Sequence, residues 1–293
     1  MKLVTYEENG RQLVGGLNTE TECVYELRTP EDVSVRSMSE LIRTHVSADT
    51  PPLEFVSGTE RLLNEVKILA PLQEVPRDIM CVGKNYRDHS AEFSASGFDA
   101  TDAGSVYPEH PIVFTKPGST IIGPGDGIEP HSQITQSLDY EAEVGVIIGY
   151  RGRNISPDSA WHHVWGYTLI NDVTARDMQY RHKQWYLGKS LDTFCPMGPV
   201  VVTSDELDGS AIDLQCYVNG ELRQSTNTRD LIFDIPTLIS VISSGRELKP
   251  GDVIATGTPA GVGIGFDPPR FLNSGDTVTI TSPQIGTLQN QVL

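Results

Sequence analysis

The stretch LDYEAEVGVIIG, residues 138–149, sets Glu141 and Glu143 beside Val144, Val146, Ile147 and Ile148, residue types that a strand buries. Side chains alternate faces along a strand, so these two carboxylates point the same way, about 7 Å apart along the chain. Like charges beside an apolar run repel each other and lose hydration, which costs several kcal/mol unless a cation compensates them. A second apolar run, VWGYTLIND, ends at Asp172. Three carboxylates from two strands form an all-oxygen donor set. Hard divalent cations, Mg2+ or Mn2+, prefer such a set, whereas zinc favours His and Cys. The residues alone leave another arrangement open, in which Glu141 and Glu143 face solvent on a wet edge strand.

In GKNYRDHSAEF, His89 and Glu92 are three residues apart and share one face of a helical turn. A carboxylate beside an imidazole orients it and raises its pKa, the arrangement of a general base acting on water. An exposed His–Glu pair on the surface would have the same spacing. Lys189 stands between Gly188 and Ser190 in QWYLGKSLDTFCPMGP, a segment with little helical pattern. A P-loop would need glycine at 183, where the chain has Lys183. The glycines of GTPAGVGIG, at 257, 261, 263 and 265, do not fit G-x-G-x-x-G either. They predict a flexible loop whose backbone N–H groups, with Thr258, are open to an anion. Cys195 lies near Lys189 without an adjacent His and reads as a buried structural thiol. His162 and His163 diverge and read as surface residues, and Trp161 and Trp165 as core.

The elements that must position these groups are mostly strands. PIVFTKP, TIIGPGDGI, YEAEVGVIIG, VWGYTLIND, GPVVVT, DLQCYVNGEL, GDVIATGT and GDTVTIT are short β-rich segments punctuated by Gly and Pro. Asn219-Gly220 predicts a hairpin. Helical patterns are few: one starts at Ser156-Pro157, another runs from Asp234 to Gly245, and a short amphipathic one lies in EDVSVRSMSELIRTH. The strand–helix alternation of a doubly wound fold is missing. The expectation is a mixed, β-rich α+β protein with a small N-terminal α+β unit, residues 1–72, and a larger unit, residues 73–293.

The chain has 293 residues, 38% of them hydrophobic, and a formal net charge of −17. It is long enough for a sizeable core. Its acidity argues against nucleic acid or an anionic membrane as partner, and an anionic substrate would need a locally positive pocket. The scattered cysteines carry no C-x-x-C pair, no leader is apparent, and no apolar run reaches the roughly 18 residues of a membrane helix. A cytoplasmic location is expected.

Taken in order, CVGKNYRDH, PIVFTKP, LDYEAEVGVIIG, GYTLINDVTARDMQ, QWYLGKSLDTFCPMGP and GDVIATGTPAGVGIG resemble the fumarylacetoacetate hydrolase family, in its bacterial-type branch of acylpyruvases, decarboxylases and isomerases. The resemblance implies a C-terminal-domain-like β-roll, a homodimer, and a divalent metal, Mg2+ or Mn2+, held by Glu141, Glu143 and Asp172. It implies a catalytic role for Lys189 and for the dyad His89–Glu92, on a short helix that orders when ligand binds. It implies substrate contacts from Arg176, Gln179 and Thr258. The substrate would be a small 2-keto or 2,4-diketo acid. The dyad tilts the reading toward hydrolysis of a C–C bond in acylpyruvates such as fumarylpyruvate or acetylpyruvate. Oxaloacetate-type decarboxylation or 2-hydroxydienoate isomerisation on the same site is the alternative, and an inactive metal-binding homologue ranks below both. The long polar stretch FSASGFDATDAGSVYPEH reads as a lid, and its Asp99, Asp102 and Glu109 weakly disfavour dicarboxylic substrates.

Overall fold

The computed structural model describes residues 1–28, 35, 37–44, 53–97 and 106–293. Asp99 and Asp102 of the expected lid lie outside these residues, while Glu109 is exposed. Strands dominate, as their β-branched, Gly-punctuated segments require. One large mixed sheet runs in the order Glu54–Phe55, Cys23–Arg28, Arg11–Asn18, Lys2–Glu8, Cys195–Thr203, Val164–Asn171, Ala142–Ile148, Val253–Ala255, Ile79–Gly83, Ile112–Lys116. A second, antiparallel sheet orders Glu221–Asn227, Asp213–Val218, Thr277–Ser282 and Gly286–Gln291. The Asn219-Gly220 turn joins two of its strands with φ of 52° and 80°, the paired positive values of a type I′ hairpin.

Ala142–Ile148 lies inside the large sheet, paired to Val164–Asn171 on one side and to Val253–Ala255 on the other. Every residue of Ala142–Ile148 and of Val164–Asn171 is buried. That continuous burial is the pattern of a strand covered on both faces. The wet-edge arrangement for Glu141 and Glu143 is therefore not the one adopted. At the N-terminus, Lys2 and Leu3 pair with Val202 and Val201, so the first strands extend the large sheet.

Helices are short. Asp234 caps the one over Ile235–Ser243 by accepting from the Thr237 amide at 2.9 Å, and Gly245 follows with φ 72°. Ser156-Pro157 opens only a single turn, Pro157–Ala160. Two helices lacked a clear signal in the sequence: Arg176–His182 and Tyr186–Lys189. Lys189 thus ends a helical turn that its Gly- and Ser-flanked sequence did not suggest. Trp165 is core as expected, but Trp161 is 39% exposed, because it lies on the short turn Trp161–His163 at the rim. Among the described residues no helix is long and apolar enough to cross a membrane.

Truncating a fully enclosed strand residue separates burial from composition. Leu169→Ala should lower unfolding free energy by roughly 2–5 kcal/mol, whereas Leu222→Ala, at a position 50% exposed, should stay within about 0.5 kcal/mol. Urea denaturation of both variants checks this.

Candidate active site

The two central strands run antiparallel with Ala142 opposite Asn171, so the start of one lies beside the end of the other. Glu141 immediately precedes the first strand and Asp172 immediately follows the second. The Asp172 amide donates to the Glu141 carbonyl at 2.8 Å, and the Glu141 amide donates to Asn171 Oδ1 at 3.1 Å. This register brings Glu141, Glu143 and Asp172 together with carboxylate oxygens within 4.8 Å of one another. Their exposures are 5%, 1% and 0%.

Such a cluster survives burial only if it is paired. Lys189 Nζ lies 2.9 Å from Glu141 Oε2 and 2.7 Å from Asp172 Oδ2. Lys116 Nζ, also buried, donates to Asp172 Oδ1 at 2.6 Å and to the Val173 carbonyl at 2.9 Å. Arg176 reaches Glu141 Oε1 at 2.6 Å through Nη1 and Asp139 Oδ2 at 2.9 Å through Nε. The Gly257 amide donates to Glu143 Oε2 at 2.8 Å.

The charges do not quite balance. Asp139, Glu141, Glu143 and Asp172 face Lys116, Arg176 and Lys189, four acids against three bases. Burial pushes the Glu141 carboxyl up, but Lys189 and then Arg176 outweigh it and hold that group down at about 2. Burial also opposes the charge on Lys189, yet Asp172 and Glu141 prevail and raise its pKa. Glu143 takes the residue of the imbalance: burial, then the Asp172 and Glu141 anions, push it well above the usual carboxylate range. A divalent cation fits this donor set. Three buried carboxylate oxygens converge, and a cation would compete with the proton that Glu143, its pKa raised, binds more readily than an ordinary carboxyl does.

The dyad stands where it was expected. His89 and Glu92 lie on the helix Arg87–Ala95, with Nδ1 3.2 Å from Glu92 Oε2. Both are largely enclosed, with side-chain exposures of 6% and 15%, so this is no surface pair. Glu92 accepts in turn from the Gly261 amide at 2.9 Å. His89, Arg176, Gln179, Lys189 and Thr258 line one pocket with Glu141. Gln179 accepts from Arg176 Nη1 at 3.2 Å, and Thr258 Oγ1 accepts from Gln224 Nε2 at 2.8 Å, which leaves the Thr258 hydroxyl proton for another partner. Arg176 Nη2 is buried without a hydrogen-bond acceptor among the described residues. All nine residues named from the sequence thus converge on one region.

The glycine-rich loop departs from expectation. Its amides are not held open for an anionic ligand. They donate to the protein's own acids: Gly257 to Glu143, Gly261 to Glu92, Gly263 to Asp139 Oδ1 at 2.7 Å and Ile264 to Asp139 Oδ2 at 3.1 Å. Glycine is required where backbone approaches this closely, since a Cβ at Gly257, φ 102°, would lie 2.7 Å from Asn85 Cβ. Two residues had no role assigned in the sequence, Asp139 and Lys116. Their signals were a charge before the Glu141 strand and a lysine closing PIVFTKP. Cys195 is fully buried, and burial pushes its thiol up to about 12, an inert core group.

A sheet-rich fold that closes over an acidic cluster, a lysine and a His–Glu dyad defines a class, and the comparisons agree with it. The family described as fumarylacetoacetate (FAA) hydrolase, C-terminal, matches residues 78–293. The chain belongs to the fumarylacetoacetate hydrolase family. It is 51% identical over 231 residues to oxaloacetate tautomerase YisK of Bacillus subtilis, covering 78% of this chain and 74% of that protein. A fumarylacetoacetate hydrolase from Exiguobacterium antarcticum superposes with TM-score 0.81 at 41% identity, covering 100% and 99% of the two chains. A 2-hydroxyhepta-2,4-diene-1,7-dioate isomerase from Mycobacterium marinum gives TM-score 0.78 at 31% identity, covering 100% and 98%.

The raised pKa of Glu143 has a measurable consequence. A carboxyl whose folded pKa is raised binds its proton more tightly folded than unfolded. Its contribution therefore declines as pH rises from the ordinary value of 4.5 toward the raised one. Metal-free protein should lose stability over that interval, and Glu143→Gln should flatten the slope. Added Mn2+ should reverse it, binding more tightly as pH rises because it competes with that proton. Denaturation series at stepped pH, with and without Mn2+, read all three.

Proposed function

We propose that this chain is a tautomerase or isomerase of 2-oxo acids, moving a proton between the 2-oxygen and C3, with enol-oxaloacetate as the first substrate. The observation that supports it is that His89, paired with Glu92, and Arg176, whose Nη2 has no hydrogen-bond acceptor among the described residues, line one pocket beside the acid–lysine cluster. Two of the similar proteins are named for reactions of this type, a tautomerase and an isomerase.

Glu141, Glu143 and Asp172 would hold Mg2+ or Mn2+, which when bound supplies positive charge against an enolate-like reactant. Arg176 Nη2 accepts the pull of the substrate's 1-carboxylate by donating to it, and Gln179 and Thr258 complete its polar cradle. Lys189 stabilises charge that develops on the 2-oxygen, in a site too enclosed for water to do so. In the enol-to-keto direction His89 takes the hydroxyl proton and returns it at C3, so that the imidazole ends neutral as it began. Only bonds to hydrogen change, and no water is consumed. Glu92, itself held by the Gly261 amide, keeps the imidazole oriented and its charge compensated.

Hydrolysis of acylpyruvates is the second reading, favoured by the Exiguobacterium hydrolase and by the dyad, which would then deprotonate a water instead. Decarboxylation would use the same cradle and release CO2. Enol-oxaloacetate, oxaloacetate, acetylpyruvate and fumarylpyruvate, each with Mg2+ or Mn2+, separate the three. The expected outcome is faster loss of the enol absorbance with neither pyruvate nor CO2 formed. Pyruvate from an acylpyruvate would establish the hydrolase, CO2 the decarboxylase, and silence on all four substrates a non-enzymatic metal-binding role. His89→Asn should lower kcat by about 10²–10⁴-fold with Mn2+ affinity kept, whereas Glu141→Ala should lose metal and turnover together.

Residues 1–72 as a separate unit, a homodimer and a cytoplasmic location belong to the same reading. The family match from residue 78 supports the division, as every site residue falls beyond it. Light scattering and cell fractionation test the other two.

A further inference from the structure

Lys116 has no part in the mechanism above, and it does not line the pocket. It is nevertheless fully buried, at the end of the strand Ile112–Lys116, where it pairs with Ile79. Its ammonium stands 5.9 Å from the centre of the Phe194 ring, and donates to Asp172 Oδ1 at 2.6 Å and to the Val173 carbonyl at 2.9 Å. Asp172 is enclosed as completely, so neither bond is open to bulk water.

The same device recurs at each acid of the cluster. Glu141 Oε1 is met by Arg176 Nη1 at 2.6 Å, Glu143 Oε2 by the Gly257 amide at 2.8 Å, and Asp172 Oδ1 by Lys116. One oxygen of each carboxylate is therefore held by a donor of its own. The second oxygens of Glu141 and Asp172, Oε2 and Oδ2, share one neighbour, Lys189 Nζ, at 2.9 and 2.7 Å. These two oxygens face a common point, while the first ones are tied back into the protein.

How many oxygens a carboxylate gives to a cation separates the dications. Ca2+ takes about six to eight oxygens and accepts carboxylates that bind through both of theirs, whereas the smaller Mg2+ and Mn2+ suit an octahedron of roughly six. For Asp172 to bind through both oxygens, Oδ1 would have to leave Lys116. That would strand a buried ammonium without its anion and set it against a dication. Of the three restraints, only Lys116 is a cation committed to a single acid: Arg176 also pairs with Asp139, and the Gly257 amide is neutral.

We infer that Lys116 is a positioning residue that restricts Asp172 to one ligating oxygen, and that it thereby makes the cluster select a small six-coordinate dication over Ca2+. The inference rests on the three acids holding a dication, and not on which 2-oxo acid reaction follows. Mn2+ and Ca2+ carry the same charge, so the charge of Lys116 by itself repels both alike. Only the number of oxygens that Asp172 can offer tells them apart. Removing Lys116 therefore has two separable effects: loss of its charge tightens both ions, and release of Oδ1 tightens Ca2+ further.

Two measurements test it. In crystals of the wild-type protein grown with Mn2+, Asp172 should ligate through Oδ2 alone, with Oδ1 still on Lys116. An Asp172 bound through both oxygens, or a Lys116 displaced from it, overturns the inference. Calorimetric titration should show the wild type preferring Mn2+ to Ca2+ by about 100-fold or more, and Lys116→Met cutting that preference by about tenfold or more. A wild type that binds both ions alike overturns the inference. So does a preference that Lys116→Met leaves within about twofold, even where both affinities rise together. If the variant does not fold, the wild-type crystal decides alone. A wild type that binds neither ion overturns the dication reading itself, and the inference with it, whereas every other outcome leaves that reading standing.

Discussion

Burying several carboxylates in one place is the constraint around which the molecule is arranged. Four acids sit within reach of one another behind strands that exclude water, and each must find a positive partner, a backbone amide or a proton. Lys116 and Lys189 flank Asp172 on its two oxygens, and Arg176 bridges Asp139 to Glu141. The pairing is one charge short, so the cluster is poised to exchange a proton for a dication. A dication in place of that proton would leave the cluster net positive, giving a protein of net charge −17 a locally positive pocket.

The glycine-rich loop is the second half of the same solution. Within Gly257–Ile264, amides reach Glu143, Glu92 and Asp139 in turn, so one loop touches the acid cluster, the His–Glu pair and the arginine brace. Each of these acids belongs to a different element: the central strand, the helix Arg87–Ala95 and the short strand Leu138–Asp139. Amides that in other proteins cradle a bound anion here hold the protein's own acids from behind. That arrangement leaves the front of the pocket to side chains.

The fold supplies rigidity where the chemistry needs it. Both central strands are buried on either face and stitched on either edge, which fixes the register that sets Glu141 against Asp172. Beside them, short turns of helix, Arg176–His182 and Tyr186–Lys189, deliver Arg176, Gln179 and Lys189. They hold their shape by ion pairs and close packing rather than by length: a Cβ at Gly188 would come within 2.6 Å of the Gln179 amide.

Local pattern carried much of this. Alternation placed Glu141 and Glu143 on one face, spacing paired His89 with Glu92, and Asn219-Gly220 marked its hairpin, because each depends on backbone geometry within a few residues. A wet edge and a buried strand share one alternation, however, and only the neighbours at Val164–Asn171 and Val253–Ala255 decided between them. Lys116 and Asp139 were illegible for the same reason. A lone charge in sequence carries no sign of its partner, and theirs are Asp172, 56 residues away, and Arg176, 37 residues away. The loop's amides likewise read as open to a ligand until the chain closed on itself and brought the acids to them. Sequence determined which groups were available and which neighbours along the chain they shared. Tertiary structure decided which charges meet, because electrostatic pairing acts through space and buried ions are tolerated only where the fold supplies a partner.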